Sequence, residues 1–171
     1  MIPDIYSKDI FSIDYDKLKK LGYINLFLDV DNTIILYEND KIDTKYIDFI
    51  NKLKKKGFNI MLFSNSRSKR VLNIAEDLGI KGYYSSMKPL KKNYKRVMKD
   101  YDKDTCIFIG DQFMTDVLGA KRMGFKVILV DRMSNKEPIY TRFWRFFEKK
   151  LLKKYNKQGK FKIYNYYDNV K

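Results

Sequence analysis

Ile24-Asn25-Leu26-Phe27-Leu28-Asp29-Val30-Asp31-Asn32-Thr33 is the stretch that decides how this chain folds. The apolar run 24–28 is short and ends on an acid, so it reads as a buried strand whose C-terminal tip presents Asp29. Asp29 and Asp31 lie two positions apart just past the strand, where the backbone is free to curve and both carboxylates can face one small site. Neighbouring carboxylates in an apolar setting repel unless a cation lies between them or one is protonated. A divalent ion together with a proton-transfer role accounts for the pair. Surface turns also produce Asp-x-Asp, so the pair gains its meaning from what surrounds it.

Working outward, the chain alternates between two periodicities. Asp43 to Lys56 carries Tyr46, Ile50 and Leu53 at helical spacing and stops at Gly57. Phe58 to Phe63 is a second apolar strand, ending at Ser64-Asn65-Ser66. Val71, Ala75 and Leu78 mark another helix closed by Gly79, and Gly82 to Ser86 reads as a short strand. Pro89 opens the next predicted helix, with Tyr94, Val97, Met98 and Tyr101 on its inner face. Thr105 to Ile109 is a strand, Thr115 to Met123 a helix, and Phe125 to Val130 a last strand. Strands alternating with helices predict an α/β protein with a parallel sheet covered on both faces. Ligands of such sheets bind at the C-terminal strand ends, which brings Asp29/Asp31, Ser64/Asn65 and Asp111/Asp116 to one edge.

Each of these clusters has its own chemistry. Gly110-Asp111-Gln112-Phe113-Met114-Thr115-Asp116 supplies two acids at a strand-to-helix turn, where Gly110 lets backbone approach a ligand. The acids suit an oxygen shell for Mg²⁺, and Thr115 and Asp116 also suit a helix N-cap. Ser64 and Asn65 offer a hydroxyl and main-chain amides to phosphate oxygens. Lys88-Pro89 places a cation just before a helix, the proline favouring extended backbone at the lysine.

Composition narrows the chemistry further. A chain of 171 residues is long enough for one domain with its own core, and 44% hydrophobic with 33% charged residues excludes wholesale disorder. There is no histidine, and Cys106 is the one cysteine, so imidazole bases, the usual zinc sites and an internal disulfide are ruled out. Any catalytic metal is therefore held by oxygen. No run approaches the roughly 18 apolar residues of a spanning helix, and Met1 to Asp9 lacks the pattern of a secretory signal. A cytoplasmic protein is expected, with peripheral contact at the inner face of the membrane left open. The net charge of +15 attracts phosphates, nucleic acid or anionic lipid, although a Lys/Asn/Ile/Tyr-rich composition also follows from A/T-rich coding.

Taken in order, Asp-x-Asp-Asn-Thr, Ser-Asn, Lys-Pro and Gly-Asp-x-x-x-x-Asp resemble the haloacid dehalogenase superfamily from about Tyr23 to Val130. The resemblance implies a three-layer Rossmann-like fold and a Mg²⁺-dependent hydrolase. Asp29 would be the nucleophile that becomes an aspartyl-phosphate, and Asp31 the acid/base partner. Ser64, Asn65 and Lys88 would bind phosphate. The metal would sit on Asp29, the main-chain carbonyl of Asp31, and Asp111, with Asp116 adjacent or bound through water. The presence of Asp31, which the dehalogenases lack, favours a phosphatase. The spacing between motifs leaves no room for a lid domain, as in subclass IIIA. Leu28-Asp29-Val30-Asp31-Asn32-Thr33, Gly110-Asp111-Gln112-x-x-Thr115-Asp116-Val117-x-Gly119-Ala120, Ile2-Pro3-Asp4 and the tail from Pro138 look like the YqeG-like branch, which is similar to phosphatidylglycerophosphate phosphatases. The likeness departs at Arg142-Phe143-Trp144-Arg145, where relatives usually show an Asn-Arg pairing.

One domain, 1–171, is expected, with a catalytic core at about 23–130 and a basic extension at about 138–171. On a helical wheel Tyr140, Phe143, Trp144, Phe147, Leu151 and Tyr155 share one side, while Arg142, Arg145, Lys149 and Lys153 lie opposite. Such a helix either lies in the interface of an anionic bilayer or uses its aromatic face to cover the sheet. The expected partner is a phosphorylated lipid head group. The alternatives are a phosphatase of nucleotides or nucleic-acid ends and, from another class, a non-catalytic RNA- or ribosome-associated protein with this fold.

Overall fold

The computed structural model describes residues 1–66, 69–137 and 139–171. Seven strands form one sheet: β1 (Ile5–Ser7), β2 (Asn25–Leu28), β3 (Asn59–Phe63), β4 (Lys81–Tyr83), β5 (Cys106–Gly110), β6 (Lys126–Val130) and β7 (Tyr167–Asp168). Their order is β4-β3-β2-β5-β6-β1-β7. Every pairing is parallel except the last, where β7 runs against β1. The apolar runs follow from this arrangement, because a parallel sheet covered on both faces buries every side chain of its inner strands.

Alternation along each strand sorts those side chains into two cores. Leu26, Leu28, Ile60, Leu62, Ile107, Ile109, Ile128 and Val130 meet α1 (Tyr15–Lys20), α2 (Thr44–Lys55) and α3 (Arg70–Asp77) on one face. Phe27, Met61, Phe63, Phe108, Val127 and Leu129 meet α4 (Lys91–Val97), α5 (Leu118–Arg122) and α6 (Ile139–Lys157) on the other. The result is the three-layer arrangement expected from the alternation.

Four local differences have physical causes. Helix α4 begins at Lys91, with Pro89 in the preceding turn. The fourth strand stops at Tyr83 because the chain then turns through left-handed residues at Ser85 (φ 53°) and Met87 (φ 49°) on its way to Lys88. The helix expected from Thr115 starts as one π-helical turn, Phe113–Val117, before α5. The sheet also gains strands at both chain ends. Ile5 and Tyr6 pair with Ile128 and Leu129 on one side and with Asp168 and Tyr167 on the other. Buried Phe161 and Val170 pin the polar tail 157–171 in place.

The inner face of α6 differs from the wheel. Arg145 and Glu148 are buried, whereas Phe143 and Phe146 are 61% and 54% exposed and Phe147 is exposed beside them. Leu151, Leu152 and Tyr155 do pack on the second core. The reason is local: the first half of α6 crosses the acidic C-terminal end of β5, where an ion-pairing face replaces an apolar one. Pro138 and the side chains of Tyr140 and Arg142, part of the expected extension, lie outside the described residues.

Candidate active site

Central strand β2 lies between β3 and β5, with Leu28 level with both Leu62 and Ile109. The residues that follow these three strands therefore emerge together, where the strand order reverses between β2 and β5. The N–H of Asp29 still donates to Ile109 O at 2.8 Å, carrying the ladder to the nucleophile candidate. The chain then reverses tightly: Asn32 sits at φ 62°, a conformation Asn tolerates better than most, and its N–H donates to Ile35 O at 2.7 Å. Asn32 Nδ2 donates to Lys136 O, tying this flap to the segment before α6.

The side chains expected to form the site come together. A narrow cavity of about 50 Å³ is lined by Asp29, Asp31, Ser64, Asn65, Lys88 and Asp111, with Thr141, Trp144 and Arg145 of α6 among its other walls. Lys88 reaches in with a side chain only 3% exposed. Its Nζ donates to Asp29 Oδ1 at 2.6 Å and to Asp116 Oδ1 at 2.5 Å. Burial alone pulls the ammonium towards neutrality, but Asp116 and Asp29 outweigh it and raise the pKa above the ordinary lysine value.

Asn65 holds the Lys88 main chain with its side-chain amide, while Ser64 Oγ accepts from Ser66 N at 3.1 Å. Asp116 is fixed from behind, its Oδ2 accepting from Gln112 N at 3.0 Å across the π-helical turn. That return path demands glycine at 110, since a Cβ there would lie 2.8 Å from the Asp116 Cβ and closer still to its carboxylate. Asp31 stands slightly apart, ion-paired with Arg70 of α3. Its pKa is pushed up to about 6 by burial first and the Asp29 charge second, with Arg70 pulling the other way. A carboxyl in that range can hold a proton and give it up near neutral pH.

Asp29, Asp111 and Asp116 each present a carboxylate oxygen, all within 4.8 Å of one another. Hard divalent cations bind oxygen at roughly 2.0–2.6 Å, so ligand atoms at such separations can share one ion. The donor set is all oxygen and thus fits a cation of the Mg²⁺ type. Asp31, expected to offer its main-chain carbonyl, keeps its carboxylate outside this trio. Asp111 is buried, which raises its pKa well above the ordinary value despite the Arg145 guanidinium beside it.

Arg70, Arg145, Glu137 and Glu148 were not among the predicted site residues. Arg70 belongs to none of the motifs. Arg145 sat on the supposed polar side of a wheel that takes no account of what the helix crosses.

Residues 4–124 match the family model described as haloacid dehalogenase-like hydrolase. The chain is 32% identical over 160 residues to the Bacillus subtilis (strain 168) protein named probable phosphatase YqeG, covering 92% of this chain and 93% of that one. It is 26% identical over 171 residues to the Arabidopsis thaliana chloroplastic/mitochondrial phosphatidylglycerophosphate phosphatase 1, spanning 93% of this chain and only 49% of the plant protein. Among solved structures, the cobalt-bound deoxy-D-mannose-octulosonate 8-phosphate phosphatase of Haemophilus influenzae superposes with a TM-score of 0.54 at 16% identity, over 80% of this chain and 90% of that one.

Proposed function

This chain belongs to the haloacid dehalogenase-like hydrolase family and is a phosphatase, and on that premise we propose that it is a Mg²⁺-dependent phosphomonoesterase acting through Asp29 on a lipid phosphate of the phosphatidylglycerophosphate type at a membrane surface. The observation that carries the lipid reading is the double role of α6. One side supplies Thr141, Trp144 and Arg145 to the catalytic cavity. Another exposes Phe143, Phe146 and Phe147, with ring centroids 4.9 Å apart for 143/147 and 5.6 Å for 146/147. Lys150 covers the Phe146 ring at 4.3 Å, and Lys149, Lys153 and Lys154 are exposed nearby. Aromatic side chains within a basic surface suit the interface of an anionic bilayer, where each nearby Lys or Arg contributes about 1 kcal/mol. Covering the sheet does not account for these three phenylalanines, since they face away from it. The name of the plant relative supports the same substrate class.

In the proposed reaction each side chain has a distinct part. Asp29 attacks phosphorus with one carboxylate oxygen, the bond from phosphorus to the alcohol oxygen breaks, and the Asp31 proton passes to the departing alkoxide. Water then attacks the acyl phosphate and gives a proton to Asp31. The bond between phosphorus and Asp29 breaks, leaving inorganic phosphate and both carboxyl groups in their starting states. Ser64 Oγ, the main-chain N–H of Asn65 and Lys88 Nζ stabilise the phosphoryl oxygens, and Asp116 braces Lys88. Asp29, the Asp31 main-chain carbonyl and Asp111 would hold Mg²⁺, which would supply neutralisation of charge on the transferring group. The proposed working unit is the whole chain, 1–171, a reading supported by Thr141, Trp144 and Arg145 lining the cavity and by β7 joining the sheet. Among the described residues no helix is long and apolar enough to cross a membrane.

Phosphate release from phosphatidylglycerophosphate in mixed micelles, run beside phosphorylated DNA and RNA ends and nucleotides, tests the proposal. Turnover of the lipid at least tenfold above the others is expected. Release from nucleic-acid ends with none from the lipid overturns the substrate and restores the nucleic-acid alternative.

A further inference from the structure

Arg145 makes an unusual investment for a residue outside the catalytic motifs. Its Nε donates to Glu137 Oε2 at 3.0 Å, and its Nη1 donates to Glu148 Oε1 at 2.8 Å and to the Asp111 main-chain carbonyl at 3.3 Å. Nη2 donates to Asp111 Oδ2. Glu148 extends the grip, its Oε2 accepting from the main-chain N–H groups of Phe113 at 2.9 Å and Met114 at 3.3 Å. All four side chains are buried. Together they clamp the acid at the end of β5 and the π-helical turn that carries Asp116.

Stability alone is a poor reason for such a cluster, because desolvating an arginine and three carboxylates offsets much of their attraction and apolar packing does as well. Direction is the better reason. The planar guanidinium engages Asp111 through both its carboxylate and its carbonyl, a two-point hold that fixes the plane of the side chain. One oxygen is then committed to Arg145, and the orientation in which Asp111 meets a cation shared with Asp29 is fixed with it. The arm at 137–148 also lies beyond residue 124, where the family model ends.

We infer that Arg145, held by Glu148, is a positioning residue of the cation site, so that the C-terminal helix sets the affinity of this phosphatase for its metal. The inference rests on the cation site proposed above. Partners in the outer shell of a metal site commonly change metal affinity or activity 10- to 100-fold when removed.

The test is calorimetric titration of the full chain with Mn²⁺, without substrate, for wild type, Arg145→Ala, Arg145→Lys and Glu148→Gln, each first checked for native circular dichroism. Arg145→Ala is expected to weaken Mn²⁺ binding about 10- to 100-fold, with Arg145→Lys losing less because it keeps the charge without the fork. In parallel assays the metal concentration for half-maximal rate rises in step with the loss of Mn²⁺ affinity. Unchanged Mn²⁺ affinity in folded Arg145→Lys and Glu148→Gln overturns the inference, as does tighter binding, which would mark the guanidinium as a competitor of the cation. Absence of Mn²⁺ binding by wild type is a separate result, and it overturns the cation site itself together with this extension of it.

Discussion

The side-chain amide of Asn65 grips the main chain of Lys88 at both ends, Oδ1 accepting from the Lys88 N–H at 2.6 Å and Nδ2 donating to the Lys88 carbonyl at 3.0 Å. An asparagine side chain thus stands in for a strand edge and fixes the backbone that launches the buried ammonium. Removing the grip leaves the Lys88 charge in place but frees its direction, and misplacement by about 1 Å can cost on the order of 10²-fold in rate. Asn65→Ala is expected to lower kcat about 10- to 100-fold with the chain still folded. Steady-state kinetics on any accepted phosphomonoester measures this, and an undiminished kcat would show that Lys88 needs no such support.

Asp29→Asn removes the charge of the proposed attacking oxygen while keeping the shape of the side chain. Loss of phosphate release by at least about 10³-fold is expected, as for other catalytic nucleophiles, with native circular dichroism. A variant with the wild-type rate would dismiss Asp29 as nucleophile. Chelation of divalent ions should silence the wild-type enzyme in the same assay, and re-addition of Mg²⁺ should restore it.

Asp31 makes a pH-dependent contribution to stability whose sign is fixed. Its pKa in the folded, metal-free protein is about 6 against an ordinary 3.8, so between those values the folded state binds more protons than the unfolded chain. Stability therefore falls as pH rises through this window, by about 3 kcal/mol in all, and the loss is complete above it. In Asp31→Asn this slope is absent. Thermal melts of the metal-free proteins from pH 4 to 7 should show the variant gaining on wild type up to about pH 6 and then running parallel; a constant difference across the range would count against the elevated Asp31 pKa.

The fold and the converging motifs were legible because the signals were local and repeated. Strands β2, β3, β5 and β6 are continuous apolar runs, and Asp29, Ser64 and Asp111 each follow one directly. What escaped was set by tertiary context. The two- and three-residue strands β7 and β1 are too short to show a period, and exist because Phe161, Val170 and Tyr6 find buried places. Arg70 reaches Asp31, 39 positions away, from a helix that belongs to none of the motifs. Arg145 falls on the polar side of the helix because a wheel ranks residues by polarity, whereas the helix lies across Asp111, a neighbour 34 positions away. Buried charge is invisible to periodicity unless its partner is known.

That reversal of α6 also sharpens the membrane prediction. Had the aromatic side packed inward, charge alone would bind lipid, and any basic surface of this protein would serve. With Phe143, Phe146 and Phe147 outward, binding needs apolar insertion beside the lysines, close to the walls of the cavity. Replacing all three by serine should reduce co-sedimentation with phosphatidylglycerol-containing vesicles by at least tenfold, since each exposed phenylalanine buried in the interface contributes roughly 1–2 kcal/mol. Reversing the charge of Lys149 and Lys150 should weaken binding less, and mainly at low salt, because screening acts on the electrostatic part alone. Vesicles of neutral phosphatidylcholine separate the two contributions: the wild-type protein should bind them weakly, and the lysine variant no more weakly than wild type. Wild-type binding that survives loss of the three phenylalanines would return the tail to a purely electrostatic role and detach the lipid proposal from α6.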